Sequence, residues 1–471
     1  MPIKEIINKS GIAFGTSGAR GLNTQFSDRV CAAFTVAFVN AMKVEYSFNQ
    51  IALAMDRRPS SQFMAQVCAG VLEALGYAVH FYGVLPTPAL ALQSMKDGIP
   101  AIMITGSHIP FDRNGIKFYR PDGEITKADE LAIMADTSFL PAFTLAELNE
   151  KNTAKEVYLA RYTNAFASDL FNGFRLGIYE HSAAGRDLNR DVFESLGATV
   201  ISLARSDVFV PIDTEAVSDE DKQRALDWVK EYQLDAIFST DGDGDRPLLS
   251  DEKGVWLKGD ILGILCAKAI SARAIALPIN ANSSVDFVDF EQVTRTRIGS
   301  PYVIAGMASF DEQTDGVAGY EANGGFLCGQ GLRLGGSALA ALPTRDAILP
   351  ALAVLAKARL EGVSLSRLVE AVTVRYTASD RLQNIDSERV KKTLANWMVV
   401  PQQAVLDLSL ESELKGVNTL DGLRLTLMNG DVVHIRPSGN APELRCYIES
   451  DTKENADALN LEVISRLFHY G

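Results

Sequence analysis

The sequence predicts a multi-domain α/β protein, and three observations carry that prediction. Short apolar runs recur along the chain, each ending in small or polar residues, as buried strands do where they run into loops. Stretches of helical pattern lie between them. The chain is also too long, at 471 residues, for one ordinary core; at roughly 150 residues per domain, about three domains are expected. Strand alternating with helix implies parallel sheets built from βαβ units, with ligands bound at the carboxyl ends of the strands.

Along the chain, "IALAMDRRPS" from Ile51 reads as a buried strand and loop, and "SSQFMAQVCAGVLEALG", ending at Gly76, as the helix that follows. "LGYAVHFYG" at 75–83 is helix end, glycine, then strand. "LGATVISLA" at 196–204 echoes it, so one α/β unit is used more than once. "AIMITGSH" from Ala101 is another strand and loop. "DKQRALDWVKEYQ" after Glu220 is a helix leading to the strand of "DAIFSTDGDGD" from Asp235. "GDILGILCAKAISA" after Lys258 is a helix leading to "AIALPINAN" from Ala274, and "GVAGYEANGG" from Gly316 is the last strand of this type. Beyond Tyr376 the strand-loop-glycine signature is missing until "DVVHIRPSGNAPELRCYIES", which reads as strand, loop, strand. A smaller α+β domain is expected there. Divisions at about Thr153, Gly259 and Tyr376 give 1–153, 154–258, 259–375 and 376–471.

A net charge of −14 argues against a general nucleic-acid binder and a basic membrane-surface protein, but not against an anionic small molecule met by a local cationic cluster. The five cysteines are scattered without a CxxC, which predicts reduced, buried thiols in a cytoplasmic protein. The start "MPIKEIINKSGIAFG" has no long apolar stretch, and no apolar run reaches the ~18 residues of a membrane span. No histidines stand at HxxxH spacing, so a histidine metal site is not expected.

Five segments carry chemistry. In "DAIFSTDGDGDRPLL", Asp241, Asp243 and Asp245 alternate with glycines at a strand end. Three like charges repel unless a cation joins them. With Glu252 they match an EF-hand in spacing, but Arg246 stands where that turn needs glycine, and a strand precedes the loop. A divalent site is favoured over a solvated acidic turn: flexible glycines let three oxygens converge on a hard cation such as Mg²⁺. In "TGSHIPFDRNGIKF", Ser107 follows a strand. No GxSxG occurs, and His108 is too close in sequence to take its proton easily, so a turn serine or a phosphoryl carrier beside the metal stands ahead of a Ser-His-Asp triad. "RPSGNAPELR" offers Arg436, Ser438, Gly439, Asn440 and Arg445, which suit a terminal phosphate or make an ordinary surface turn. In "GYEANGG", Glu321 and Asn323 suit paired sugar hydroxyls, or form a plain loop. "FGTSGARG" brings Arg20 to a turn or a phosphate site.

Taken together and in this order, the five segments resemble the α-D-phosphohexomutase superfamily of phosphomannomutases, phosphoglucomutases and phosphoglucosamine mutases, over the whole chain. The resemblance implies three related α/β domains with mixed sheets and a smaller fourth α+β domain around a central cleft. It implies Ser107 as phosphoserine, with Asp241, Asp243, Asp245 and the Ser107 phosphate on Mg²⁺. It places Arg246 beside the metal loop, Glu321 on sugar hydroxyls, and Arg436, Ser438, Gly439 and Asn440 on the non-reacting phosphate. Arg20, His108 and Lys117 would flank the phosphoserine. The implied reaction interconverts hexose 1-phosphate and 6-phosphate through a 1,6-bisphosphate, which also serves as activator, in a monomer or dimer; an amino-sugar substrate or a catalytically silent sugar-phosphate binder are the alternatives. The sequence departs from the family pattern at Ile109 in place of Asn, Asn323 in place of Ser, and Gly325 and Ser300 in place of two histidines. Lys117 thereby becomes the better acid–base candidate.

Overall fold

The computed structural model describes residues 1–15, 18–383, 385–437 and 443–470. Gln50–Met55, Ala78–Val84, Ala101–Ile104 and Arg113–Arg120 pair in the order second, first, third, fourth. The first three run parallel and the fourth turns back antiparallel. Arg175–Tyr179, Thr199–Leu203, Ala236–Thr240 and Pro247–Ser250 repeat that order and those directions. So do Ala274–Pro278, Gln292–Thr296, Val317–Tyr320 and Phe326–Cys328. The α/β unit is therefore used three times.

The sheets are mixed rather than parallel. Parallel neighbours need a long crossover, supplied in the first unit by the helices Ser61–Ala74 and Thr87–Asp97 and in the second by Arg186–Ser195 and Asp219–Tyr232. The connections 105–112, 241–246 and 321–325 are too short for one, so the fourth strand returns antiparallel. These three connections carry Ser107, the aspartate triplet and Glu321. Further strands extend two of the sheets, among them Ala19–Leu22, which pairs with Arg113–Arg120, and Leu342–Asp346, which pairs with Phe326–Cys328.

The C-terminal sheet is antiparallel throughout, in the order Tyr376–Gln383, Glu443–Ser450, Val432–Pro437, Leu423–Leu427, Leu414–Asn418. The sequence reading found only its central hairpin. Both edge strands are largely exposed, so no apolar run marks them. One apolar cluster runs from Ala52 to Val372 through all three units, whereas the C-terminal segment keeps its own, from Ala378 to Leu467. All five cysteines are buried thiols. Among the described residues no helix is long and apolar enough to cross a membrane.

Candidate functional site

Ser107 is buried, and its hydroxyl donates to Asp241 Oδ2 at 2.8 Å. Its backbone sits at φ 52°, a left-handed conformation that costs a non-glycine residue about 1–3 kcal/mol unless its surroundings hold it. Arg58 does the holding. Its Nη2 donates to the carbonyls of Ser107 (2.9 Å) and Ile109 (2.6 Å), its Nη1 to those of Pro110 (2.7 Å) and Arg113 (2.9 Å), and its Nε to Asp56 at 3.2 Å. Its guanidinium stacks 4.0 Å from the centre of the Phe209 ring, contributed by the second unit. Sequence reasoning missed Arg58; the only signal was a charged Asp-Arg-Arg directly after an apolar strand.

Asp241, Asp243 and Asp245 are buried, with one oxygen of each within 4.8 Å of the others. The intervening glycines are required. A Cβ on Gly242 would lie 2.8 Å from the Ser107 carbonyl oxygen, and Gly244 has φ 72°. The loop joins two antiparallel strands, which rules out the helix-loop-helix of an EF-hand. Lys117 Nζ lies 2.5 Å from Asp243 Oδ2 and 2.8 Å from Asp245 Oδ2, and the Thr87 hydroxyl donates to Asp243 Oδ2 at 2.9 Å. Burial opposes ionisation of all three carboxyls. Arg345 and Lys117 outweigh it at Asp245, and Lys117 does so at Asp243, so both are held below the usual carboxylate range. At Asp241 burial and the charges of Asp243 and Asp245 prevail, and its carboxyl is pushed well up. Asp243 Oδ1 and Asp245 Oδ1 are buried with no hydrogen-bond partner among the described residues. The cluster thus has carboxylate oxygens to spare, converging on one point, and it fits a hard divalent cation.

His108 is not the acid or base of a serine triad. Arg246 Nη1 donates to its Nδ1 at 2.6 Å, and that same nitrogen is the one 3.4 Å from Ser107 Oγ. The Arg246 charge, then burial and Arg20, hold the imidazole far below its usual range, so His108 is neutral. Arg20, on Ala19–Leu22, is lowered to about 10 by burial and by Arg246, with Asp243 and Asp245 opposing, and remains a cation at neutral pH.

Glu321 accepts from Arg345 Nη1 at 3.0 Å. Arg345 lies on Leu342–Asp346, is 2 % exposed, and also donates to Asp245 Oδ2 from Nε (3.1 Å) and Nη2 (2.8 Å). It too was missed, because "LPTRDAILP" reads as an apolar run with a charged pair in it. Asn323 turns inward: its Oδ1 accepts the Gly325 amide at 2.9 Å and its carbonyl the Thr214 hydroxyl at 3.2 Å, so its side chain shapes the loop. Beside this loop opens a cavity of about 580 Å³ whose walls include Glu215, Asn280, Ala322, His434 and Tyr447.

Ser438, Gly439 and Asn440 lie outside the described residues. Arg436 and Arg445 flank them and are register partners on adjacent strands. Like charges facing each other are unfavourable without an anion between or beside them. Arg436 Nε is bound to Asp421 at 2.8 Å, whereas Arg445 Nε is buried with no hydrogen-bond partner among the described residues.

Models for phosphoglucomutase/phosphomannomutase match the chain in three places: alpha/beta/alpha domain I at 11–138, alpha/beta/alpha domain III at 258–376 and the C-terminal domain at 374–465. A phosphomannomutase from Salmonella muenchen is 52% identical over 98% of this chain and 97% of its own length. One from Sinorhizobium fredii is 41% identical over 95% and 97%. A probable phosphoglucosamine mutase from Methanothermobacter thermautotrophicus is 27% identical over 94% and 95%. Among solved structures, a putative phosphomannomutase from Thermus thermophilus superposes with a TM-score of 0.78 at 21% identity, covering 97% of this chain and 99% of that one, a likeness of fold.

Proposed function

The chain belongs to the phosphoglucomutase/phosphomannomutase family, and on that premise we propose that it is a phosphomannomutase, an isomerase that moves a phosphoryl group between the 1- and 6-hydroxyls of a hexose. The observation that carries this reading is the Ser107 hydroxyl, 2.8 Å from a buried three-carboxylate cluster with free donor oxygens. A serine beside a cation site, without a working histidine, suits phosphoryl rather than acyl transfer.

Ser107 carries the phosphoryl group. Asp241, Asp243 and Asp245 would hold Mg²⁺, which when bound would supply positive charge to the phosphoryl transfer. Arg20 and Arg246 add fixed positive charge on the same side. Phospho-Ser107 gives its group to the free hydroxyl, and the bisphosphate turns within the cleft and returns its other phosphate to Ser107. Lys117 is our candidate for moving the hydroxyl proton. With its ammonium resting on Asp243 and Asp245, it first serves to offset their charge. Glu321 reads the sugar hydroxyls, and Arg436, Ser438, Gly439, Asn440 and Arg445 hold the non-reacting phosphate. The segments 1–153, 154–258, 259–375 and 376–471 act as four domains around the cleft. The enzyme works in the cytoplasm as a monomer or dimer, with hexose 1,6-bisphosphate as activator.

The purified protein should carry one phosphoryl group on Ser107 by mass spectrometry. Coupled assays should show turnover of mannose 1-phosphate well above glucosamine 1-phosphate. Ser107→Ala should lower turnover by several orders of magnitude with the fold intact, since a lost nucleophile has no substitute. Near wild-type isomerisation by that variant would refute the assignment.

A further inference from the structure

Arg345 joins two loops that otherwise belong to different units. Its Nε and Nη2 both donate to Asp245 Oδ2, and Lys117 Nζ contacts the same oxygen. All three cationic donors therefore crowd onto Oδ2. Oδ1 is left without a hydrogen bond among the described residues, with Arg246 Nε 3.8 Å away. Oδ1 is thus the Asp245 oxygen left free for a further partner. At the other end of the guanidinium, Nη1 holds Glu321 Oε2 and lies 3.2 Å from Ser300 Oγ. Ser300 in turn donates to Glu124 at 2.9 Å, and Thr344 donates to the same carboxylate at 2.8 Å, anchoring the group to the first unit. A planar fork with five donors can bind two carboxylates in fixed relative positions; an ammonium cannot.

The local sequence makes room for it. A Cβ on Gly325 would lie 2.5 Å from Arg345 Cδ. Gly325 and Ser300 are the two positions at which the sequence drops a histidine from the pattern it otherwise resembles, and both border on Arg345.

We propose that Arg345 is a positioning residue that ties cation affinity to sugar affinity, by setting Asp245 for the cation and Glu321 for the sugar hydroxyls with one guanidinium. The sugar half rests on the function proposed above; the cation half does not.

The test uses the full-length protein and Mn²⁺ as probe, with free Mn²⁺ read by electron paramagnetic resonance, alongside KM for mannose 1-phosphate. Arg345→Lys should weaken Mn²⁺ binding and raise KM, each about 10-fold, as expected for one lost charge-assisted bond at each end. Gly325→Ala, which displaces Arg345 without removing it, should move both quantities the same way, and it carries the test alone if Arg345→Lys fails to fold. Glu321→Gln should raise KM and leave Mn²⁺ affinity unchanged. Wild-type Mn²⁺ affinity in both Arg345→Lys and Gly325→Ala would overturn the proposal, as would weakened Mn²⁺ binding with unchanged KM. If the wild-type protein turned over no hexose phosphate, the function would fall while the Mn²⁺ titration still decided the cation half.

Discussion

Ser107 has little freedom of its own. Its left-handed φ and its buried hydroxyl would both be unfavourable in an isolated loop, and the carbonyls of Ser107, Ile109, Pro110 and Arg113 converge on Arg58. The energetics favour arginine specifically: lysine has three donors around one point and cannot span four carbonyls and Asp56. Arg58→Lys should therefore act on the nucleophile and leave the groups that grip the substrate in place. We expect kcat to fall at least 10-fold, in line with losing one or two charge-assisted bonds at about 1.5–3 kcal/mol each, while KM stays within about threefold, because the loop carries the reacting group and not the sugar contacts. Steady-state kinetics on the two proteins decide it. A raised KM at unchanged kcat would show that Arg58 serves substrate binding instead.

Among the elements, the buried strands were legible because they are largely apolar: Ala101–Ile104, Ala236–Thr240 and Val317–Tyr320 are buried at every position. The chemistry at their ends was legible too, since Ser107 and the aspartates stand directly after them. What escaped the sequence was pairing over distance. Arg58 meets its carbonyls about fifty positions away and Arg345 meets Asp245 across 100 positions; no local period records such contacts. The polar edge strands of the last sheet were lost for want of an apolar signal. On the central strand Val432–Pro437, His434 was passed over as unpaired, yet it is buried, with Nε2 2.7 Å from the Asp421 carbonyl. Burial lowers its pKa to about 4. The unfolded chain takes up this proton near pH 6.5 and the folded one only near 4, so the stability is complete above 6.5 and is lost as pH falls through that window. The difference amounts to roughly 3 kcal/mol. Urea unfolding at pH 7 and pH 4.5 should show a smaller acid loss for His434→Gln than for wild type. Equal losses would mean that His434 titrates normally.

For the molecule as a whole, the three related units share one continuous core, and the C-terminal part is built around another. Ser107, the aspartate cluster and Glu321 therefore lie on units joined by one apolar cluster, while Arg436 and Arg445 belong to a sheet with a cluster of its own. Polar contacts join the two: the Ile298 amide donates to Asp421 at 2.9 Å, and Asp421 also holds Arg436. On the proposed function, a bisphosphate that turns around would present either phosphate to the same cationic pair, so this pair should recognise phosphate without regard to which end of the sugar bears it. Forward and reverse kcat/KM cannot test this, because their ratio is fixed by the reaction's equilibrium constant. Equilibrium binding can. In a Ser107→Ala background, mannose 1-phosphate and mannose 6-phosphate should each bind with the phosphate between Arg436 and Arg445. Arg436→Lys keeps the charge and loses the fork, which should weaken both by about 10-fold or more, at roughly 1.5–3 kcal/mol for a charge-assisted bond. Isothermal titration of the two ligands against the two proteins gives four constants. Similar losses for both ligands support one shared phosphate site. A loss confined to one ligand would mean that the C-terminal arginines serve a single orientation, and that the second phosphate is held elsewhere.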